Sequence, residues 1–378
     1  MLILGPMKRA IIAGAGIAGL ATALRLEQDG WRTLIVEQAP ARRGSGYLVN
    51  LIGPGYDAAE RLGLLPVLAP KSLGVFTTVL VRPDGSPKLT VPAAIAEAAL
   101  GDRVLTVFRG DLEAALFDRV RAEVRFGTTV TAVDQDPSSV RVKLSDGTAE
   151  QADLLIGADG VHSRTRSSVF GPDFRVDFPY VVAAFPLSDR GHEGATTYID
   201  VGRTASILEL GPDRSAAFFT YRCADPEAEL ARGPAAALGD AFAGVPFAAD
   251  LPIPGDVYFD RVSQVVMPRW SAGRVVLTGD AAWCVTLFAG HGAALALAGA
   301  DRLGAALAGR DDIPAALASW EDGLRPLVIR RQAVARRGMT QYAPPTRFHV
   351  RLSEMTMRAV TLPIIRGLVR RAVARQSH

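Results

Sequence analysis

Cysteine and lysine are scarce in this chain of 378 residues. Cys223 and Cys284 are the two cysteines, far apart and in no C-x-x-C pair. They support neither a zinc site nor a disulfide framework, which suits a reducing, cytoplasmic setting. The lysines are Lys8, Lys71, Lys88 and Lys143, so the pI near 9.0 rests on arginine. Charge is close to balance, with 42 basic against 39 acidic residues, and bulk electrostatics do not argue for a nucleic-acid partner. The five histidines show no metal-ligand spacing. No Ser/His/Asp set or paired carboxylate stands out, and there is no internal repeat or low-complexity tract.

Long apolar runs are nearly absent too. Ala281 to Ala300 lacks Asp, Glu, Lys and Arg and has the length of a membrane span. Gly290, His291, Gly292 and Gly299 interrupt it, and Asp280 and Asp301 bound it. A loop followed by a buried helix is the better reading. The opening MLILGPMKRA is too short for a signal peptide.

What is present is 49% apolar residues with 37 Gly and 24 Pro, an ordinary globular composition for two domains or one domain with a lobe. RAIIA (9–13) reads as a buried strand, LATALRLEQDG as a helix closing at Gly30, and WRTLIVEQ (31–38) as the next strand. Between the first two lies GAGIAG. Gly14 permits the tight turn, Gly16 lets backbone approach a pyrophosphate, and Gly19 lets the helix pack on the strand. Ala15 and Ala18 belong to the same cofactor-binding loop, and the helix N-terminus presents unpaired N–H groups to an anion. Glu37, at the tip of the second strand, is placed to accept from a ribose diol. The fingerprint predicts a dinucleotide without distinguishing FAD from NAD, and it occurs once.

Further along, residues 56–68 and 109–124 carry helical periodicity, and residues 73–91 read as strands around Pro83-Asp84-Gly85. Residues 172–268 alternate as antiparallel strands do. Alternation puts Phe219 and Tyr221 on one face of that sheet and Phe218 on the other. From about residue 293 the chain reads as mostly helical.

Four segments carry a resemblance. DLLIGADGVHSRTR (153–166) resembles the D-G motif of class A flavoprotein monooxygenases, the p-hydroxybenzoate hydroxylase-like family. RVVLTGDAA (274–282) resembles their G-D motif. Arg109-Gly-Asp-Leu112 is similar to the R-x-x-L helix start, and Trp320-Glu-Asp-Gly-Leu-Arg325-Pro326 to the late W-E-x-x-R-P helix. The matches fall in family order across roughly residues 8–340.

The resemblance implies an α/β fold: a Rossmann-like FAD-binding domain (GR2-type) with an inserted, mainly antiparallel β-sheet substrate lobe and a C-terminal helical tail. The FAD-binding domain would take residues 1–70, 101–171 and 269–340. The lobe would take 71–100 and 172–268, and the tail 341–378. It also implies bound FAD, NAD(P)H as co-substrate, and oxygenation of an aromatic or polyketide-like small molecule through a flavin C4a-hydroperoxide. The expected assembly is a monomer or homodimer.

By the same resemblance, Gly279 and Asp280 hold the ribityl arm, and Gly290, Gly292 and Ala293 open a helix toward the flavin pyrimidine edge. Arg109 faces the pyrophosphate or ribityl side, and Asp159 supports the pyrophosphate loop. Arg43 is either a cofactor contact or a solvated loop cation. Trp283 is either a wall of the substrate pocket or a core residue. His291 either hydrogen-bonds substrate or flavin, or caps the helix.

Two positions depart from the family pattern. Leu287 stands where Pro is expected beside the flavin, and Ala294 where Asn is common. They motivate a second reading, a non-redox cyclase that retains FAD as a wall. The tail, with arginines amid Leu352, Met355 and Val360, reads as an amphipathic basic helix. Docking across the lobes is the favoured role for it and membrane-surface adhesion the minor one.

Overall fold

A computed structural model describes residues 7–42, 47–100, 103–187, 194–211, 214–249, 251–255 and 257–360. Its centre is a six-stranded sheet. In spatial order the strands are Ser271–Ala272, Val275–Leu277, Leu154–Gly157, Arg9–Ala13, Arg32–Glu37 and Glu123–Phe126. All pairings are parallel except that of the first two. Residues 10–13, 33–36, 154–157 and 275–277 are buried without a break, as strands covered on both faces should be.

One face of this sheet packs on helix Ile17–Gln28, and that helix packs in turn on Gly292–Leu307. Helix Gly292–Leu307 packs on Pro54–Arg61 as well, and that contact is close because the residues are small. A Cβ at Gly55, in helix Pro54–Arg61, would fall 2.4 Å from the Ala294 Cα. Ala294 is therefore a buried crossing residue, where a longer side chain would meet backbone. The opposite face is covered by a three-stranded antiparallel meander, Val130–Gln135, Val140–Leu144 and Ala149–Ala152.

A second, seven-stranded sheet has its own core. Its order is Tyr258–Val265, Arg175–Leu187, Ser215–Arg222, Arg203–Glu209, Gly194–Asp200, Thr78–Val81 and Pro87–Val91. Every pairing is antiparallel except Gly194–Asp200 with Thr78–Val81. Alternation divides its faces as expected. Phe219 and Tyr221 pack on Phe242 beneath helix Pro234–Ala241, whereas Phe218 joins Val182 and Phe288 on the other side.

The long helix Ile313–Tyr342 spans both sheets and contains the segment Trp320–Pro326. Glu321 accepts from the Trp270 amide (2.9 Å) and the Ser271 hydroxyl (3.1 Å). Arg325 pairs with Glu321, donates to the Met267 carbonyl (2.9 Å) and lies over the Trp270 ring. The motif is thus a clamp on the edge of the central sheet. Helix Arg347–Val360 follows and contacts the second sheet. Among the described residues no helix is long and apolar enough to cross a membrane.

Candidate functional site

The Gly-rich turn is built by close approach. Gly14 has φ +107°, and a Cβ there would fall 2.4 Å from the Ala158 carbonyl oxygen. A Cβ at Gly19 would fall 1.9 Å from the Gly14 oxygen. Only glycine satisfies both contacts. Gly16 differs: a Cβ there would meet nothing within 4 Å, because it faces an open cleft. The Glu37 carboxylate accepts from the amides of Ala15 (2.8 Å) and Ala39 (2.7 Å), which fixes the loop across the strand tips. Each oxygen keeps a lone pair for a further donor.

The D-G segment works in the same way. Asp159 accepts from the Ser163 hydroxyl and from the amide (2.9 Å) and hydroxyl (3.0 Å) of Thr165. It orders the loop that leads into helix Arg164–Phe170. Arg166, buried there, donates to the carbonyls of Ala281 (3.0 Å) and Val161 (2.7 Å). The two motifs are thereby tied together. The resemblance had given Arg166 no role, though a buried arginine so close to a nucleotide loop was a signal.

The cleft above these loops has a cavity volume of about 540 Å³ and runs from Glu37 and Gly16 past Arg109 to Asp280. A second cavity of about 230 Å³ shares the walls of Gly16, Arg109, Tyr258 and Asp280 and extends to Gly290, Gly292 and Ala293. The nucleotide loop and the start of helix Gly292–Leu307 therefore open onto one continuous trough.

Asp280 sits at the junction. Gly279, with φ +61°, turns the chain into the short helix Asp280–Trp283, and a Cβ at Gly279 would strike the Ala18 Cβ at 2.6 Å. The carboxyl of Asp280 is exposed to the trough. Desolvation by the surrounding walls raises it above the ordinary carboxylate range, opposed in part by Arg109 and by a hydrogen bond from the Cys284 thiol. Among the described residues no N–H donates to it. Arg109 pairs with Glu113 at 2.6 Å and lies over the Tyr47 ring, 5.5 Å from its centre. Burial works against its charge, but Tyr47, Glu113, Tyr258 and Asp280 together raise its pKa.

Two residues that the sequence reading missed also face the trough. Asn50, on strand Leu48–Ile52, accepts the Thr106 hydroxyl at 2.8 Å through Oδ1. Its Nδ2 is left without a hydrogen-bond partner among the described residues, beside Gly290. Arg42 lies over the Phe117 ring and lines the larger cavity. Neither shows in a motif, since each depends on a partner from a distant segment.

Trp283 does not line either cavity. It is fully buried against Trp270 (ring centres 4.7 Å) and Trp320 (5.8 Å), with Gly299 leaving room for its ring. It is a core residue, and the pocket-wall reading is withdrawn. His291 precedes helix Gly292–Leu307 and donates Nδ1–H to the Ala289 carbonyl, bracing the Leu287–Ala289 turn. Burial, offset by that hydrogen bond and aided by Arg331, lowers its pKa, and the ring is not part of the cavity walls. Arg43 lies outside the described residues; its neighbour Arg42 is the described cation at that place.

The donor set suits FAD. A helix N-terminus with open glycine faces the nucleotide end, and Glu37 is free to accept again. A carboxylate open to the trough stands where a hydroxyl-rich arm would pass. Gly292, where a Cβ would also meet nothing within 4 Å, opens the far end.

Comparison with known proteins agrees. Residues 9–84 match the family model described as FAD dependent oxidoreductase, and residues 94–201 the one described as FAD binding domain. The chain is 31% identical over 323 residues to the flavin-dependent monooxygenase eupH of Phoma sp, covering 77% of this chain and 75% of that one. It is 30% identical over 314 residues to an uncharacterized protein of Mycobacterium tuberculosis, covering 78% and 83%. The structure of Klebsiella pneumoniae HpxO complexed with FAD and uric acid matches with a TM-score of 0.78 at 25% identity, over 98% of this chain and 97% of that one. Tetracycline destructase Tet(51) shares the fold, with a TM-score of 0.80 at 24% identity over 96% and 98%.

Fold and site together define a flavoprotein oxidoreductase. The chain belongs to the FAD-dependent monooxygenase family, in which NAD(P)H is the typical co-substrate.

Proposed function

We propose that this protein oxygenates a largely apolar aromatic or polyketide-like small molecule with O2, after NAD(P)H has reduced its FAD. The observation that carries the reading is the single trough from the Gly-rich loop to the start of helix Gly292–Leu307, with an apolar flank at its far end. FAD held in it supplies hydride acceptance and oxygen activation.

The protein supplies the rest. Glu37 and the helix start hold the nucleotide end, and Asp280 and Arg109 hold the middle. Sixteen residues of helix aim their positive end at the far end and favour negative charge developing there. Val182, Val262 and Leu287 form an apolar flank that excludes water. We assign the seven-stranded sheet the role of substrate lobe, because Val182 and Val262 belong to it.

Leu287 replaces a proline of the family pattern, but its turn is supported in another way. Phe288 stacks on Tyr342 at 4.7 Å and meets Tyr180 edge-on. Gln264 donates to the Val285 carbonyl (3.1 Å), and Gln332 to that of Val265 (2.7 Å). A turn held by packing keeps its shape without proline, and the similarity to flavin-dependent monooxygenases favours oxygenation over the cyclase reading.

Rapid mixing tests the proposal. NADH or NADPH should bleach the visible flavin band, and oxygen should restore it with one atom of labelled O2 in the product. Product formed while the flavin stays oxidised would favour the non-redox cyclase instead.

A further inference from the structure

Helix Arg347–Val360 has two unlike faces. Val350, Ser353, Glu354 and Met357 line the contact with strands Thr78–Val81, Pro87–Val91 and Gly194–Asp200, where Glu354 pairs with Lys88. On the opposite side Phe348, Leu352 and Met355 recur at spacings of four and three and form one stripe. They are 69%, 48% and 66% exposed, three of the largest apolar exposures among the described residues. Arg347 and Arg351 flank that stripe along one edge, both exposed.

Charge is segregated in the same place. Residues 343–378 contain seven arginines and one acid, Glu354, whereas residues 1–342 hold 35 basic and 38 acidic residues. Lys88 draws that one acid to the inner face. The outer face therefore joins bare apolar side chains to an excess of positive charge, on a helix already anchored from behind. That combination is complementary to an anionic lipid surface: the apolar stripe enters the acyl boundary and the arginines meet phosphate headgroups. Another copy of this chain would bring the same positive charge against it.

We propose that the outer face of helix Arg347–Val360 is a docking surface for anionic phospholipid bilayers, making the protein a peripheral membrane binder. The inference stands apart from the reaction assigned above, since it uses no residue of the trough.

Vesicle sedimentation of the full-length holoprotein tests it. Phosphatidylcholine vesicles with about 30% phosphatidylglycerol should pellet the protein, and pure phosphatidylcholine vesicles should not. About 0.5 M NaCl should release most of it, as screening demands. The exposed triple variant Phe348→Ser, Leu352→Ser, Met355→Ser should lower the bound fraction about ten-fold with unchanged FAD content, and Arg347→Gln with Arg351→Gln should weaken it less. The proposal fails if anionic vesicles leave the protein in the supernatant, or if the triple variant binds as well as the parent. It also fails if light scattering shows the triple substitution dissociating a dimer while the parent ignores vesicles.

Discussion

The two ends of the trough are built on opposite economies. At the nucleotide end the polar groups already satisfy one another. Glu37 holds two amides, Asp159 holds three donors, and Gly14 and Gly19 admit backbone where no Cβ fits. At the ring end polar capacity is left open. Asp280 is exposed to the trough and takes no N–H donor among the described residues, and Asn50 keeps an unpartnered amide there. The first end is folded by the groups that bind; the second leaves polar groups open to a ligand. Damage at the first should therefore strike fold and cofactor together, and damage at the second the cofactor alone.

The largest effect belongs to the first end. Gly14→Ala places a Cβ 2.4 Å from the Ala158 oxygen at a φ that disfavours any side chain, and nothing there is a flexible side chain that can yield. A loss of about 3 kcal/mol or more is expected, read as a collapse in soluble yield and melting temperature. A well-folded colourless Gly14→Ala protein would break the comparison, since fold and binding would then be separable at this end.

Trp283→Ala comes next and sharpens the contrast from outside. It removes the centre of a three-tryptophan cluster and should cost about 3–5 kcal/mol by thermal or denaturant unfolding. FAD bound per folded molecule and substrate selectivity should not change, because the ring touches neither cavity. Altered selectivity would return Trp283 to the pocket.

How far these roles were legible in the sequence follows from the kind of constraint. Gly14, Gly16, Gly19 and Glu37 are set by local geometry within one strand–turn–helix–strand unit, so spacing alone reveals them. The alternation at Phe218, Phe219 and Tyr221 is equally local. Trp283 and His291 sit beside cavity residues in sequence, but which way each side chain turns depends on its packing partners. Trp270 and Trp320 decide the one, and the Ala289 carbonyl decides the other. Three of the four tryptophans lie between 270 and 320, the one hint of a cluster that composition held. Asn50 gave no hint, because its orientation is set by Thr106, on a strand paired across 56 positions of sequence. The departure at Ala294 looked functional in the motif and is steric in the fold, matched by Gly55.

At the ring end, Asp280→Ala should lower FAD affinity about 100-fold, an expected cost of removing a charged acceptor of a buried hydrogen bond. The purified protein should be colourless, while the apoprotein melts within about 2 °C of wild-type apoprotein. A yellow variant would remove Asp280 from the cofactor site. An apoprotein that fails to fold would assign the ring end to the same economy as the Gly-rich loop.

The smallest effect is the most discriminating. Desolvation by the trough walls raises the Asp280 carboxyl, so the folded apoprotein holds that proton more tightly than the unfolded chain does. Ionising it at neutral pH therefore opposes folding, and the opposition fades as pH falls through the carboxylate range. Asp280→Asn keeps the shape and removes the charge. Its apoprotein should melt above wild-type apoprotein at about pH 7.5, with the advantage vanishing toward about pH 4. The same variant should still bind FAD more weakly than wild type, because an amide with one acceptor oxygen replaces a carboxylate. Stability gained while cofactor is lost, at one atom-for-atom exchange, is the behaviour of a group kept for binding at the expense of the fold. An Asp280→Asn apoprotein that melts below wild type at both pH values would show Asp280 holding the fold through Arg109, and the distinction between the two ends would fall.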